Sequence, residues 1–314
     1  MSEWPCLISI CIPAYKRPIN IDRLLHSISI QTFTDYEIII TDDSPDDSLQ
    51  PVLQKYGQLP IVYYKNENGL GTPVNWKYGI SLAKGEWIKI MHDDDWFAGE
   101  DSLKIFAEAT KKGKRFIVCR YFNVFESGKK EAPAFPESWK SMIVQEPMTL
   151  LSTNVVGPPS VTLVHSSIKE QYDTFMKWRV DIDFYVRILS TEKAFELIDQ
   201  SLVCVGVSET QVTNYCINEP EVELPEGVLL LHKYGVAPLK NIRVYDAWWR
   251  ILRNVNIRSI EQLESYTPYT TWPKAVQRMV QQQSRIPASL LKLGPFSKLA
   301  MALSYLFNQK YLSR

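Results

Sequence analysis

A chain of 314 residues, 45% of them hydrophobic, is long enough to bury one large folded domain or a domain with an appendage. Thirty-five Lys and Arg against thirty-five Asp and Glu leave zero formal charge, so no global field recruits nucleic acid and charged partners must be met locally. The five cysteines, Cys6, Cys11, Cys119, Cys204 and Cys216, are odd in number and form no CxxC pair, which argues against a disulfide framework or a zinc cage and fits a reducing cytosol.

The first residues carry Glu3 where a signal peptide wants positive charge, and their apolar run stops at Pro13. No stretch reaches the roughly 18 apolar residues of a membrane span. Up to about residue 115, short Ile- and Val-rich runs (7–12, 36–41, 61–65 and 87–91) alternate with helical patterns at 20–31, 47–57 and 73–85. Near-continuous apolar runs are what strands buried on both faces require, and strand–helix alternation predicts an α/β, Rossmann-like parallel sheet with helices on both faces. In such sheets ligands sit beyond the carboxyl ends of the strands. There the chain places "PAYKR", "DDSPDD", "NENGLG" and "HDDDW", so four polar clusters are expected along one edge.

The middle, 116–215, mixes strand-like runs with the helical pattern "DIDFYVRILSTEK" and a proline-rich stretch at 126–139 that reads as a mobile loop. Beyond about residue 220 the pattern is helical, and no internal repeat is evident. From Ser265 to Arg314 there is no Asp or Glu, while seven residues are Lys or Arg, mixed with apolar ones in "LLKLGPFSKLAMALSYLF". Such a segment suits either an anionic membrane surface or a helical appendage packed on the rest of the chain.

Three adjacent carboxylates, Asp93, Asp94 and Asp95, repel one another and need a reason. They could cap a helix starting near Gly99. An EF-hand calcium loop is disfavoured, because alternate ligands, a Gly at position six and a Glu at twelve are missing. The third reading is a Mg2+ or Mn2+ site that leaves positions open for phosphate oxygens, the ion offsetting the repulsion.

In this order, "ISICIPAYKR", "QTFTDYEIIITDDS", "NENGLGTPVNWKYGISLAKGEWIKIMHDDDW" and "VDIDFYVRIL" resemble glycosyltransferase family 2, inverting enzymes of the GT-A fold. The similarity covers roughly residues 5–215. It implies a GT-A catalytic domain over 1–215, with a nucleotide-sugar half at 1–115 and an acceptor half at 116–215, followed by a mainly helical region at 216–314. It also implies a nucleotide-sugar donor, a UDP-sugar first, a Mn2+ or Mg2+ cofactor held by a DxD-like motif, and a glycan or lipid-linked acceptor. Transfer of a single hexosyl or hexosaminyl unit in surface polysaccharide synthesis is the activity expected from it, on a cytoplasmic or peripheral membrane protein.

Residue by residue, the resemblance places Pro13, Ala14 and Tyr15 against the nucleoside base, Asp43 at the base edge, Asp93 by the ribose and phosphates, Asp94 on the metal and Asp181 as catalytic base. The chemistry agrees. A carboxylate rewards the imide N–H of a pyrimidine, positive charge on a diphosphate favours the transition state, and the acceptor hydroxyl must lose a proton. Tyr15 could equally be a core aromatic, and Asp183 reads as a helix-start residue.

The chain departs from the family at three places. His92 stands where Asp is frequent, as a ligand, a phosphate donor or a packed residue. Ser208 stands where a His often follows the base helix, which leaves the third protein ligand open. Lys77 replaces a frequent Asn, its charge approaching the diphosphate or solvating a helix face. The QxxRW motif and membrane spans of processive synthases are absent. A nucleotidyltransferase would want a glycine-rich basic turn after the first strand, which "IPAYKRPIN" lacks, and a non-catalytic binding module would not need Asp181.

Overall fold

Four apolar runs build the parallel half of a single sheet. The computed structural model describes residues 5–209, 211–268 and 271–312. In it β1 (Ile8–Ala14), β2 (Tyr36–Asp42), β3 (Ile61–Lys65) and β4 (Trp87–Ile90) pair in parallel, with β1 between β2 and β4 and β3 outside β2. Ile8, Ile10, Cys11 and Ile12 of β1 and Ile38, Ile39 and Ile40 of β2 are all buried, so these runs are continuous because both faces are covered.

The first connection is α1 (Pro18–Ser29), with proline at its start and Ile21, Leu24, Leu25 and Ile28 buried at the spacing of one helix face. It is followed by α2 (Gln50–Lys55) and by α3 (Val74–Ser81), which packs on β1 and β2. The last helix stops four residues short of the expected Gly85. At Gly85 the chain runs so close to Ser9 that a Cβ would lie 2.7 Å from its main-chain nitrogen.

The sheet then becomes mixed. In chain order come β5 (Trp96–Phe97), α4 (Ser102–Thr110), β6 (Phe116–Phe125), β7 (Lys130–Glu131), α5 (Glu137–Gln145), β8 (Thr162–His165), α6 (Val180–Glu192) and β9 (Glu196–Val207). The strand order is β3-β2-β1-β4-β8-β6-β9-β5, with β7 on β6. β8 runs antiparallel to both β4 and β6, whereas β9 is parallel to β6 with register shifts around Arg120. The stretch 126–139 is not loop throughout: a turn with Gly128 at φ 80° folds β7 back on β6.

The C-terminal part is helical, as its sequence pattern predicts: α7 (Pro220–Tyr234), α8 (Ile242–Asn254), α9 (Ile260–Tyr266), α10 (Lys274–Ser284), α11 (Ala288–Leu291) and α12 (Gly294–Asn308). α8 buries Val244, Tyr245, Trp248, Trp249, Ile251 and Leu252, the core of this part. α9 has a legible start that the apolar pattern alone misses, since the Ser259 hydroxyl accepts from the Gln262 N–H (3.2 Å) and the Gln262 side chain accepts from the Arg258 N–H (2.7 Å).

Contacts divide the chain into two compact units. One holds residues 1–145, 155–174 and 184–209 and contains the whole sheet; the other holds 146–154, 175–183 and 210–314. Among the described residues no helix is long and apolar enough to cross a membrane.

Candidate active site

In the sheet unit the polar clusters line the carboxyl edge because the strands end together. Ala14 pairs with Asp42, and Asp42 with Lys65. Asp42 is fully buried and serves the fold: its carboxylate accepts from the Ser44 N–H (2.8 Å), the Tyr63 hydroxyl (2.8 Å) and Lys65 Nζ (3.2 Å). Asp43 shapes the loop after β3, one oxygen accepting from Asn66 Nδ2 (2.6 Å) and the Leu70 N–H (3.0 Å), the other, among the described residues, from the Gly71 N–H alone (2.8 Å). Pro13 and Ala14 close β1, and Ala14 is buried. The Tyr15 ring is exposed, so it is not the core aromatic that its place at a strand end allows.

The turn after β4 gathers the other acids. Arg17 Nη1 lies 3.2 Å from both Asp93 Oδ1 and Asp94 Oδ2 and holds the two carboxylates together. Burial, with the neighbouring Asp94 charge, pushes the Asp93 carboxyl up to about 7 against the opposing pull of Arg17 and of the Tyr15 N–H. Asp95 is buried and accepts from the Gly206 N–H (3.1 Å) and from Ser160; burial and Asp94 raise its carboxyl well above the usual range. Gly206 has no alternative, because a Cβ there would collide with the Asp94 carbonyl. Arg23 donates to that same carbonyl (2.8 Å) and stacks on Trp96.

His92 completes the turn. Its main-chain N–H donates to the Ser160 hydroxyl (3.0 Å), its ring sits 4.6 Å from that of Trp76, and its Nε2 is buried with no hydrogen-bond partner among the described residues. Burial pulls the imidazole down to about 4, so at neutral pH it is uncharged and keeps a lone pair. Donor atoms of His92, Asp94 and Asp95 all lie within 4.8 Å of one another. One imidazole and two carboxylates suit a Mn2+-like ion, and the same ring holds a buried nitrogen that no described residue hydrogen-bonds. Below them Lys89, fully buried on β4, donates to the carbonyls of Ser160 and Thr162 (3.2 Å for the latter), and burial lowers its ammonium to about 8.

In the other unit the first turn of α6 holds Asp181 and Asp183, served very differently. Asp183 is fully buried and accepts from Lys233 Nζ (2.8 Å) and the Tyr234 hydroxyl (2.8 Å), the structural role read from its place at a helix start. Asp181 accepts from Asn154 Nδ2 (2.9 Å) and from the adjacent Ile182 N–H (2.7 Å), and among the described residues no cation pairs with it. Burial pushes its carboxyl up to about 7, and Glu226 adds to the shift. Glu226 in turn accepts the N–H groups of Lys177, Trp178 and Arg179, which sets the chain leading into α6.

Thus Pro13, Ala14, Tyr15, Asp43, Asp93, Asp94 and His92 fall along one sheet edge, and Lys77 is exposed on α3. Asp93 to Asp95 do not cap a helix, since α4 begins only at Ser102. Asp95, in the same turn, is the third residue with a donor atom within 4.8 Å of those of His92 and Asp94. Arg17 was legible, in the "PAYKR" cluster itself. Ser160 and Gly206 were not, because they come to the turn from 68 and 111 residues away.

A sequence model of Glycosyl transferase family 2 matches residues 9–162. The uncharacterized glycosyltransferase YwdF of Bacillus subtilis is 40% identical over 186 residues, 57% of this chain and 67% of that protein. Over the first five relatives the match spans between 31% and 69% of the relative's length. Among solved structures, S. aureus TarS residues 1–349 with UDP-GlcNAc superposes with TM-score 0.57 at 15% identity, covering 98% of this chain and 93% of that one. A mannosyltransferase of Pyrobaculum calidifontis with GDP-Man and Mn2+ gives 0.56 at 12%, covering 99% and 89%. These likenesses carry the GT-A fold, and the identity to YwdF carries the family: the chain belongs to glycosyl transferase family 2.

Proposed function

We propose that this glycosyltransferase is an inverting, metal-dependent enzyme that moves one sugar from a nucleotide-sugar donor, a UDP-sugar first, to a glycan or lipid-linked acceptor. The observation that carries the reading is the convergence of His92, Asp94 and Asp95 donor atoms beside Asp93 at the carboxyl edge of the sheet. Asp94 and His92 would hold Mn2+ or Mg2+, with Asp95 as third ligand. When bound, the ion supplies positive charge to the departing diphosphate.

The remaining steps belong to side chains. Tyr15, with Pro13 and Ala14, offers a face to the nucleoside base. Asp43 keeps acceptor capacity on the oxygen that receives only Gly71, enough for the imide N–H of a pyrimidine. Asp93 faces the ribose and phosphates, and Lys77 the diphosphate. Asp181 takes the proton of the acceptor hydroxyl as its oxygen attacks in line; a carboxyl near 7 is ionised often enough to accept that proton and basic enough to hold it. Donors in the two structural neighbours, UDP-GlcNAc and GDP-Man, support a nucleotide sugar and differ in the base. Building of a surface polysaccharide is the setting this activity suits.

A donor screen tests the reading: thermal stabilisation and hydrolysis across UDP-, GDP- and dTDP-sugars with Mn2+ or Mg2+. The expected result is stabilisation by a UDP-sugar only when the ion is present, lost on chelation. Binding of a nucleotide sugar unchanged by chelation would remove the metal, and a preferred GDP-sugar would remove the uridine reading of Asp43.

A further inference from the structure

α12 is inverted relative to an ordinary surface helix. Its buried positions include Ser297, Ser304 and Asn308, whose side chains hydrogen-bond to Trp249, Gln282, Tyr245 and Arg278. Its outward positions are Phe296, Leu299, Leu303, Leu306 and Phe307, between 39% and 67% exposed. They recur at i, i+3, i+7, i+10 and i+11, one continuous stripe along the helix. Leu293, 56% exposed just before the helix, extends it. Scattered exposed leucines need no explanation, but an apolar stripe on a helix that turns its polar side inward does.

The charge around the stripe says what covers it. Between Ser265 and Arg314 the sequence has no carboxylate to neutralise seven Lys and Arg. Exposed Lys292 and Lys310 flank α12 at its two ends, and Lys298 is exposed on it. Beyond its end, Lys274, Arg278 and Lys310 all lie 5.1–5.4 Å from the ring of Tyr311, three cations around one aromatic. Leucine and phenylalanine bordered by lysine and an amphipathic tyrosine match a bilayer boundary, where apolar side chains enter the acyl region and ammonium groups meet lipid phosphates. A second copy of the same surface would place like charges together.

We propose that α12 is a peripheral membrane-docking helix, which lies in the plane of an anionic bilayer with Phe296, Leu299, Leu303, Leu306 and Phe307 in the lipid and Lys292, Lys298 and Lys310 on the headgroups. The inference stands independently of donor and metal. Bound this way, the chain would meet a lipid-linked acceptor where such acceptors reside.

Flotation of the full chain with vesicles of phosphatidylcholine containing 30 mol% phosphatidylglycerol, beside pure phosphatidylcholine, tests it. The expected result is binding to the anionic vesicles, weakened by 0.5 M salt. Leu303→Asp with Leu306→Asp, both at exposed positions, should cut binding at least tenfold with an unchanged circular dichroism spectrum. Lys292→Glu and Lys310→Glu should each weaken it by about fivefold or more and flatten its salt dependence, from about 1 kcal/mol per cation near such a surface. Absence of wild-type binding, or equal binding by the Leu303/Leu306 variant, would overturn the proposal. So would a concentration-dependent dimer in sedimentation velocity that this variant abolishes, which would assign the stripe to a second copy.

Discussion

In the turn after β4 three neighbouring carboxylates share one arginine and a few neutral donors, whereas in the first turn of α6 one of two carboxylates has the cation. Asp183 has Lys233 and Tyr234; Asp181 has an amide and its neighbour's N–H. In the turn after β4 the acids stay crowded, with Asp93 and Asp95 raised by burial and by Asp94, and the charge balance is left incomplete. A carboxylate with a full set of charged partners holds the fold. One that is buried with too few is destabilising as it stands, and such sites are commonly functional. Under the proposed mechanism the two turns would differ in what completes them: a cation for His92–Asp95, and a proton for Asp181.

The sharpest way to break this comparison is Asp94→Ala. Turnover should fall by about 10²- to 10³-fold or more, together with metal-dependent nucleotide binding, while Arg17 keeps Asp93 as a partner and the fold survives. Calorimetry with Mn2+ and a nucleoside diphosphate checks it; full metal-stimulated transfer would end the ligand role. Comparable in size but confined to turnover, the effect of Asp181→Asn should be a fall of about 10²- to 10⁴-fold with donor and metal affinity retained. Asp183→Asn should instead cost about 1–3 kcal/mol of stability, because it weakens a buried acceptor of Lys233 and Tyr234. Denaturant midpoints and turnover measured on both variants decide whether the two aspartates separate.

The same pair makes a pH prediction. The Asp181 carboxyl is raised from 3.8 to about 7 in the folded chain, so the stability linked to its proton is present below pH 4 and is lost as pH rises through 7. Asp181→Asn removes that loss. It should melt higher than the wild type at pH 8 and alike at pH 4, the difference being at most about 4 kcal/mol by linkage. In wild-type turnover the same group should produce a rise with pH through about 7. A melting difference that is the same at both pH values would show that burial does not raise this carboxyl. The smallest effect belongs to Lys77→Ala, an exposed charge on α3. A two- to threefold rise in donor KM that vanishes in 0.5 M salt is expected from long-range attraction of the diphosphate, salt at that level screening beyond roughly 4–5 Å.

Much of the sheet unit was readable because its physics is local. Short Ile-rich runs bounded by turn residues suit strands covered on both faces, and proline at the start of α1 agrees with its position there. The edge of the sheet follows from the order of elements, so Asp43, Asp93 and Asp94 could be placed together before any coordinates. Asp95 was visible as one of three acids, but its burial was not, since Ser160 and Gly206 reach it from distant parts of the chain. Likewise the basic C-terminal segment was legible as a composition. That α12 turns serine and asparagine inward and leucine outward was not, because the sequence pattern gives a helix two faces and does not say which one its neighbours take.

By itself, then, the sequence determined the α/β class, the helical C-terminal region, the family and the positions at which chemistry could reside, since each of these rests on period, order or motif. The tertiary structure alone decided how each charged side chain is satisfied: that Arg17 bridges Asp93 and Asp94, that Lys233 and Tyr234 take Asp183 and leave Asp181 to be raised by burial, and that a donor atom of His92 comes within reach of Asp94 and Asp95. Desolvation and hydrogen bonding depend on which atoms lie within a few ångströms, and chain segments far apart in sequence supply most of them.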